Sequence, residues 1–424
     1  MQTLDAARGA KTASTKLAAL PLSVRNAALL DIADALRADK DAIFAANVLD
    51  MAAAASLPDP LLKRLKYDEH KLSESVDELR ALASLPDPLN RTLAATQLAD
   101  DLELYKVSCP IGVIGTIFES RPDALVQIAA LCLKTGNAVL LKGGSEAMNT
   151  NRALFAAIAK AAGLPSGWAA LLESREDVTA MLGLDKYISL LIPRGSGAFV
   201  KYIMNGTRIP VLGHAEGLCH VYVDDAADIT MAASIVRDSK LQYPAVCNAV
   251  ETLLVHRDIA RRALPVILAS MPECEFRGDA AARDIIGCSP ATDSDWDAEY
   301  LDRVLSVRVV PDIDAAIAHI NGHGSGHTDA IVTSSRISAA RFMNEVDSAD
   351  VFWNASTRFA DGYRFGLGAE VGVSTSRIHA RGPVGMEGLT AYKYKLIGAG
   401  HTVGGFADGT YTYVHQGFDG VCPV

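Results

Sequence analysis

Residues 110–151 of the chain read PIGVIGTIFESRPDALVQIAALCLKTGNAVLLKGGSEAMNTN, and the alternation within this stretch decides the fold. The apolar run Val113–Phe118 has the length of a buried strand, and the composition of Asp123–Lys134 favours a helix. After a Gly-Asn break, Ala138–Leu141 predicts another strand, and the KGGS segment at 142–145 leads into another helix. Strands that alternate with helices are typical of a parallel, doubly wound α/β sheet.

The chain on either side extends this pattern. The residues before about 90 are predicted to be helical, because Val24, Ala28, Ile32 and Leu36 recur at four-residue spacing. Further strands, separated by helices from 187 onward, are predicted at Leu102–Val107, 187–192, 220–223 and 251–256. We expect a second α/β unit to begin near residue 241.

Length, charge and cysteine content limit the number of domains, the classes of binding partner and the cellular compartment that we expect. The 424 residues, half of them hydrophobic, exceed one simple domain, so two or three are expected. A formal charge of −10 repels phosphate backbones and anionic lipids, which argues against nucleic acid and membrane surfaces. The first twenty residues lack the apolar core of a signal peptide. Seven cysteines without a CxxC pair argue against disulfides and zinc, and favour the reducing cytoplasm.

Cys247 is the candidate nucleophile. It lies in QYPAVCNA, residues 242–249, after a predicted helix and a proline turn and before an apolar strand. On such a loop a thiolate can attack a carbonyl, while Asn248 or backbone N–H groups hold the oxyanion. A free cysteine is also commonly a small buried hydrophobe, so the local sequence leaves a structural role open. The other six cysteines are interpreted as structural.

Two glycine turns follow predicted strands and open helices. They are Lys142-Gly143-Gly144-Ser145 and Arg194-Gly195-Ser196-Gly197. Glycine lets the backbone approach a phosphate, and a helix N-terminus favours negative charge. Each could be an ordinary turn with a solvated cation, but two at the carboxyl edge of one sheet predict a nucleotide site.

Two further patterns are weaker. His319, His323 and His327 share the spacing of one helical face, but Gly322, Gly324 and Gly326 are expected to break a helix there, so we predict no metal site. At the other end of the chain, 402–414 is rich in Thr, Tyr and Val and predicts a β arm that reaches a neighbouring subunit.

Five stretches together resemble the γ-glutamyl phosphate reductase family (glutamate-5-semialdehyde dehydrogenases), a branch of the aldehyde dehydrogenase superfamily. The resemblance is collinear over nearly the whole chain and is carried by 110–151, 192–224, 242–256, 326–333 and 365–394. It implies an α/β, aldehyde-dehydrogenase-like fold with a Rossmann-type cofactor domain, an α/β catalytic domain and a small β oligomerisation arm. The expected bounds are 1–240 for the cofactor domain, with 102–108 in the oligomerisation element and 365–395 returning to the cofactor domain, 241–364 for the catalytic domain, and 396–424 for the arm.

The resemblance also implies a reaction. Enzymes of this family reduce L-glutamyl 5-phosphate with NADPH to L-glutamate 5-semialdehyde and phosphate, in proline biosynthesis. Cys247 stands at the superfamily nucleophile, which would form a thioester that hydride then reduces. Phosphate departs readily from a mixed anhydride, so a strong general acid is not required. The family further implies a homo-oligomer, and glutamate 5-kinase is a candidate partner because glutamyl phosphate is labile.

Cofactor contacts carry over residue by residue. Lys142 stands at the lysine that touches the adenosine ribose. Ser145 stands where NAD-preferring relatives often place a glutamate, so it leaves room for the 2′-phosphate of NADP, although Glu146 lies next to it. Glu299 matches the glutamate that holds the nicotinamide ribose. The full expected cofactor set is Lys142, Gly143, Ser145, Arg194, Gly195, Ser196 and Glu299.

Two departures from the superfamily pattern are informative. The LGHAEG segment at 212–217 lacks the glutamate that activates water in oxidising relatives, which suits a thioester kept for hydride. In Glu119-Ser120-Arg121-Pro122, Arg121 replaces an asparagine that donates to the oxyanion. Arg121 could bind the acyl phosphate or a substrate carboxylate, or it could be structural at a domain seam. Ser120 is expected to add charge stabilisation.

Other functions remain alternatives at this stage. A different member of the superfamily, such as a semialdehyde or acyl-CoA dehydrogenase, would share these motifs and differ in its acyl acceptor. A nucleotide-binding protein without catalysis would be expected to lose Cys247, which is present. One half of a fused synthase is disfavoured because the chain begins directly in the helical region.

Overall fold

The structure is a computed structural model, and it describes residues 2–57, 59–119 and 121–424. The chain begins with five helices, as predicted, and then enters two antiparallel strands. The helices are α1 Thr3–Ala18, α2 Leu22–Ala38, α3 Lys40–Ala53, α4 Asp59–Leu65 and α5 Glu69–Ser84, and the strands are β1 Thr92–Ala99 and β2 Leu102–Pro110. In α2 the four-residue spacing does bury one face, since Ala28, Ile32 and Leu36 are inaccessible.

A four-stranded parallel sheet follows, in the order β5-β4-β3-β6. Its strands are β3 Val113–Phe118, β4 Ala138–Lys142, β5 Ala169–Leu172 and β6 Leu190–Arg194, and its helices are α6 Pro122–Lys134, α7 Met148–Ile158, α8 Arg175–Leu182 and α9 Gly197–Gly206. Every residue of β3 and β4 is buried, as helices on both faces require. Both predicted glycine turns follow strands of this sheet, after β4 and β6.

A seven-stranded parallel sheet forms the second α/β unit, in the order β10-β9-β11-β8-β7-β12-β13. Its strands are β7 Cys219–Val223, β8 Val250–His256, β9 Glu275–Gly278, β10 Ser289–Pro290, β11 Val304–Val310, β12 Thr328–Val332 and β13 Asp350–Trp353. Its helices are α10 Ile229–Leu241, α11 Arg257–Ser270, α12 Ala280–Ile286, α13 Ile313–His323 and α14 Arg336–Glu345. Short 3-10 helices lie at Ser145–Ala147, Asp293–Asp297, Thr357–Phe359 and Glu387–Leu389.

The second unit begins earlier than we expected. Strand β7 pairs with β8 and β12, and all five of its residues are buried, so this sheet starts at Cys219 and not near 241. The sequence-based boundary at 240 placed β7 in the cofactor domain. The division into domains at 240 stays a prediction, but the sheet itself does not follow it.

The last part of the chain contributes β14 Val373–Ser374, β15 Gly382–Pro383, β16 Thr390–Ile397, α15 Val403–Ala407 and β17 Gln416–Gly417. Strand β16 pairs antiparallel with β2 along its whole length, from Thr390 opposite Pro110 to Ile397 opposite Glu103. The resulting antiparallel sheet has the order β16-β2-β1-β17. The chain therefore joins this antiparallel sheet at Thr390, before the predicted start of the arm at 396.

The Thr-Tyr segment that predicted the arm is not a strand. Residues 410–413 have no strand structure, and their aromatic rings pack locally instead. Tyr413 stacks on Phe406 of α15 with ring centroids 4.0 Å apart, and Tyr411 lies 4.7 Å from His401. β propensity was therefore overridden by contacts between aromatic side chains.

The buried residues form separate cores. One core joins the helices α2, α5 and α6 to the four-stranded sheet, and it also includes Ala369, Val371, Val384 and Leu389 from the segment that returns late in the chain. A second core fills one face of the seven-stranded sheet. Within the described residues, each helix is either too short or too polar to cross a membrane.

Candidate active site

Cys247 lies on the loop between α10 and β8, half-buried, as its sequence context predicted. Backbone and side-chain bonds of the next residue hold this loop. The Nδ2 of Asn248 donates to the carbonyl of Ala360 at 2.8 Å, and Thr357 Oγ1 donates to the carbonyl of Asn248 at 2.7 Å. The side chain of Asn248 is thus engaged in fixing the loop, and its role at an oxyanion stays a prediction.

Gly217 packs directly against the backbone of Cys247. A β carbon at Gly217 would overlap the carbonyl oxygen, Cα and carbonyl carbon of Cys247, so no other residue fits without moving the nucleophile. From β7, the buried thiol of Cys219 donates to the same carbonyl oxygen at 3.2 Å. Burial raises the pKa of Cys219 well above its usual value, so this second thiol stays protonated and inert.

Two histidines border the thiol, and no sequence motif had linked either of them to the nucleophile. The Sγ of Cys247 and one ring nitrogen each of His214 and His327 all lie within 4.8 Å of one another. The two imidazole rings meet edge to face with centroids 4.9 Å apart. The signal was present in the sequence, since His214 lies in the segment noted for its missing glutamate, but only the fold brings it to Cys247.

His214 is held in one tautomer. Its Nδ1 lies 2.9 Å from the carbonyl oxygen of Val373 in β14, and a carbonyl can only accept, so Nδ1 carries the hydrogen. Burial lowers the pKa of His214, against the opposing effects of this bond and of Glu299. The ring is therefore neutral near pH 7, with its lone pair on Nε2.

The histidine series predicted on one helical face is divided by the structure. Helix α13 continues through Gly322 to His323 and ends at the cap Gly324, so the expected break occurs at the second of the three glycines and not at Gly322. His319 and His323 lie side by side on α13 with tilted rings whose centroids are 4.5 Å apart, and Arg308 Nη1 lies 2.8 Å from His319 Nδ1. His327 lies beyond the helix, beside Cys247.

Arg358 brings a positive charge to the thiol. It is buried, its Nε donates to Gln242 Oε1 at 2.9 Å, and burial lowers its pKa, while the neighbouring Cys247 acts in the opposite direction. Gln242 belongs to the same loop as Cys247. A buried guanidinium at this position can neutralise an anionic substrate group.

Arg121 is the residue that precedes α6, and this helix follows β3 of the four-stranded sheet. Cys247, by contrast, precedes β8 of the seven-stranded sheet. Burial lowers its pKa, and the charges of Arg194 and Arg64 add to that effect. Tyr243, from the Cys247 loop, is also close enough to influence it. The carboxylate of Asp123 acts in the opposite direction, so the surroundings of Arg121 hold charges of both signs, with the three arginines among them. The predicted contribution of Ser120 falls outside the described residues.

The first glycine turn contains a buried lysine and packs against a buried polar side chain. Lys142 is buried, and its Nζ donates to the carbonyl of Gly143 at 2.5 Å. Burial lowers its pKa, which the nearby Glu146 partly offsets. A β carbon at Gly143 would overlap the amide of Asn151, whose Oδ1 is buried without a hydrogen-bond partner in the described structure. An unsatisfied acceptor beside a cation fits sugar hydroxyl groups.

The second glycine turn is occupied by a side chain of the same protein. Glu119 Oε2 accepts a hydrogen bond from the backbone N–H of Ser196 at 3.2 Å, at the N-terminus of α9. A β carbon at Gly195 would lie 2.6 Å from that oxygen. Here the helix terminus already binds a carboxylate, and a cofactor contact at Arg194, Gly195 and Ser196 stays a prediction.

Glu299 and Glu216 have separate surroundings. Glu299 Oε1 accepts a hydrogen bond from the N–H of Gly217 at 2.9 Å, and Gly217 in turn packs against the backbone of Cys247. Burial raises the pKa of Glu299. Glu216 instead forms a 2.5 Å ion pair with Lys201. Neither carboxylate is the missing water-activating base by sequence position, and contact of Glu299 with a ribose stays a prediction.

Comparisons with known proteins identify the family of the chain. The model of the aldehyde dehydrogenase family matches residues 1–288, which include Cys247. The γ-glutamyl phosphate reductase of Pelotomaculum thermopropionicum is 57% identical, over 97% of this chain and 96% of the relative. That of the archaeon Natronomonas pharaonis is 54% identical, over 97% of each.

The chain belongs to the γ-glutamyl phosphate reductase family of aldehyde dehydrogenases. It is accordingly an oxidoreductase. The crystal structure of γ-glutamyl phosphate reductase from Thermotoga maritima superimposes with a TM-score of 0.92 at 37% identity, covering 95% of this chain and all of that one. A lactaldehyde dehydrogenase, at 19% identity and a TM-score of 0.68, shares the fold. The predicted aldehyde-dehydrogenase-like α/β architecture is confirmed.

Proposed function

We propose that the chain reduces L-glutamyl 5-phosphate to L-glutamate 5-semialdehyde and phosphate with NADPH, through a thioester on Cys247, as a step of proline biosynthesis. The observation that carries the proposal is the position of Cys247, a half-buried thiol on a tightly held loop beside two imidazoles and Arg358. The identity of the proposed substrate is taken from the γ-glutamyl phosphate reductases to which the chain is similar.

In the first half of the reaction Sγ of Cys247 bonds to the acyl carbon, the C–O bond to phosphate breaks, and a thioester remains. Arg358, close to the thiol, can neutralise the substrate's carboxylate or phosphate, and Arg121 can serve the other anion. The substrate's carboxylate and phosphate differ in charge. The comparison of arginine variants described below therefore assigns one anion to each arginine.

The second half needs a thioester that survives. When bound, the nicotinamide cofactor supplies the hydride that reduces this thioester to the aldehyde. The chain's own contribution is that segment 212–217 lacks the glutamate with which oxidising relatives activate water, and its one carboxylate, Glu216, is held in an ion pair with Lys201. Hydrolysis of the thioester is then slow, and reduction is the productive outcome.

For the cofactor, we propose that Lys142, Gly143 and the unsatisfied Oδ1 of Asn151 bind the adenosine ribose, while Glu299 binds the nicotinamide ribose. Ser145 is exposed and uncharged, which supports NADP over NAD because a glutamate there would repel a 2′-phosphate. Arg194, Gly195 and Ser196 would reach the pyrophosphate after Glu119 moves from the helix terminus.

The sheet of β2 and β16 is proposed as a homo-oligomer contact, since Tyr392, Tyr394 and Leu396 are exposed along it. The partnership with glutamate 5-kinase rests on the family resemblance alone. The cytoplasmic location is supported by seven free cysteines.

The test replaces Cys247 by alanine and measures phosphate-dependent oxidation of glutamate semialdehyde by the appearance of NADPH absorbance. We expect turnover to vanish in Cys247→Ala and to persist in the control Cys109→Ser, a cysteine of β2 distant in the fold. Wild-type turnover by Cys247→Ala would overturn the mechanism. Replacing phosphate by coenzyme A or by water tests the acyl acceptor, and a requirement for either would overturn the proposed substrate.

To assign the arginines, Arg358→Gln and Arg121→Gln are compared in their KM for the semialdehyde and for phosphate. We expect each variant to raise chiefly one of the two constants, by about 10–100-fold for a lost charge-assisted pair. Unchanged constants in both variants would remove the arginines from the proposed site.

A further inference from the structure

We propose that His214 is the proton-transfer group of this site: it removes the proton from Cys247 and delivers it to the departing phosphate. This inference rests on the proposed function, because it specifies how the same thiol is activated. It assigns a function to a residue that the sequence motifs left without one.

Geometry is the first support. A ring nitrogen of His214 lies within 4.8 Å of Sγ of Cys247, a separation that a small rotation of the thiol or one bridging water closes. The Nδ1–H of His214 is committed to the carbonyl of Val373 at 2.9 Å, so the nitrogen free to accept a proton is Nε2. A nucleophile, a base and a group that orients the base are the parts that activated thiols require.

The second support is the difference between the two neighbouring histidines. His327 is fully buried, its Nδ1 lies 2.8 Å from Thr328 Oγ1, and its Nε2 has no hydrogen-bond partner among the described residues, so its ring is shielded from a phosphate that departs through solvent. His214 is only partly buried and can face both the thiol and the substrate. His327 contacts it edge to face and restricts its rotation. His327 therefore holds the ring of His214 in place, whereas His214 can exchange a proton with the thiol and with phosphate.

The charges around His214 keep it available as a base. Burial lowers its pKa, Arg194 acts in the same direction, and the carboxylates Glu299 and Glu370 oppose it. A neutral imidazole whose pKa lies below the thiol's ordinary value can still form the imidazolium transiently, because the thiolate it leaves behind lies within 4.8 Å. The imidazolium can then give its proton to the departing phosphate.

The step balances without another reactant. The Sγ–H bond breaks and its proton passes to Nε2 of His214, while the sulfur electron pair forms the bond to the acyl carbon. The bond from the acyl carbon to the phosphate oxygen breaks, its electron pair stays on that oxygen, and the oxygen takes the proton from Nε2. Phosphate leaves as hydrogen phosphate and His214 is neutral again. After the thioester is reduced, the C–S bond breaks, the aldehyde is released, and the thiolate takes one proton from solvent.

The experiment uses His214→Asn, which keeps a donor for Val373 but cannot carry the proton, and the matched control His323→Asn on the surface of α13. The first measurement is the rate at which iodoacetamide alkylates Cys247 at pH 7, followed by mass spectrometry of that peptide. We expect His214→Asn to react at least about tenfold more slowly, because His214 accepts the thiol proton as the sulfur attacks and the variant has no base to replace it. The control should match the wild type.

Two further readouts separate proton transfer from a structural role. At pH about 9.5, above the ordinary thiol pKa, alkylation of His214→Asn should return to the wild-type rate. In the phosphate-dependent oxidation, kcat should fall by about 10²–10⁴-fold with little change in the KM for NADP. Imidazole added to His214→Ala should restore part of the lost kcat.

The inference fails if His214→Asn alkylates and turns over within about threefold of wild type, a range too small for loss of a general base. It also fails if the alkylation defect persists at high pH, because that result indicates a displaced loop. Should His214→Asn fold poorly, the imidazole rescue of His214→Ala decides alone, and the absence of rescue overturns the inference. Inactive Cys247→Ala with normal His214 variants would overturn only this inference, whereas active Cys247→Ala would overturn the proposed function itself.

Discussion

Lys240 and Glu251 form a buried ion pair across the two ends of the nucleophile loop. Lys240 Nζ lies 2.5 Å from Glu251 Oε2, and the side chains are 0% and 2% exposed. Lys240 lies in the last turn of α10 and Glu251 is the second residue of β8, so the pair closes the loop that carries Cys247. Burial raises the pKa of Glu251 to about 7, with Lys240 opposing the shift.

Removing one member of this pair should destabilise the protein strongly. Lys240→Met leaves the Glu251 carboxylate buried without its partner, and such a change costs about 3–5 kcal/mol. We expect that loss in the free energy of unfolding by denaturant at pH 8. The double variant Lys240→Met, Glu251→Leu should recover most of it, because both charges are then absent. A single variant as stable as the wild type would show that the loop is held by its other contacts.

Gly217→Ala tests the close approach to Cys247. The added methyl group overlaps the Cys247 backbone, so the loop must shift, and a displacement of about 1 Å at a reacting atom costs roughly 10²-fold in rate. We expect that fall in kcat/KM for the phosphate-dependent oxidation. Gly9→Ala is the control, because a β carbon there meets no atom within 4 Å and alanine favours the helix α1. Equal activity of the two variants would contradict the packing argument.

The sequence predicted the fold better than it predicted the surroundings of the nucleophile. Strand β3 was predicted at its observed bounds, because a short apolar run between turn residues has few alternatives. The loop position of Cys247 was likewise predicted from its proline turn. His214 was missed because it comes 33 residues before Cys247, counting from 214 to 247, and only the pairing of β7 with β8 joins them.

Local propensity also failed where tertiary contacts competed with it. Glycine at 322 suggested a helix break, yet α13 continues to His323 because its apolar face, including Ala316 and Ile320, is buried. The Thr-Tyr segment at 410–413 suggested a strand, but its rings stack on one another. In both cases burial or ring contacts outweighed a preference of a few tenths of a kcal/mol to about 1 kcal/mol per residue.

Ser145→Glu should shift the cofactor preference from NADP toward NAD. A carboxylate at this exposed position, beside Glu146, adds repulsion toward a 2′-phosphate and can pair with the free ribose hydroxyls of NAD. We expect the ratio of kcat/KM for NADP over NAD to fall by about tenfold or more, as for one unfavourable charge contact. Ser145→Gln, which has similar size without the charge, is the control. A ratio unchanged in both variants would place the 2′-phosphate elsewhere.

Asp350→Asn should change how stability depends on pH. Burial raises the pKa of Asp350 to about 6, above the unfolded value near 3.8, so the folded state binds more protons between these values. Stability from the protonated form is therefore present below about pH 4 and is lost as pH rises through about 6. The wild type should lose about 1–3 kcal/mol relative to the variant across this window. Parallel unfolding free energies from pH 4 to pH 7 would contradict the assigned shift.

The exposed face of β16 should control the oligomeric state. Tyr394 and Leu396 are 60% and 59% exposed on a strand that pairs with β2 along its whole length, and they face the same side because they are two residues apart. Leu396→Lys places a charge on that apolar face, which an interface between subunits cannot bury cheaply. We expect sedimentation velocity to show a smaller species for Leu396→Lys. Ile337→Lys on helix α14, where the native side chain is 84% exposed, is the control and should leave the sedimentation coefficient unchanged. If both variants sediment like the wild type, subunits associate through another surface, and if the wild type is already a monomer, the β16 sheet has no oligomeric role.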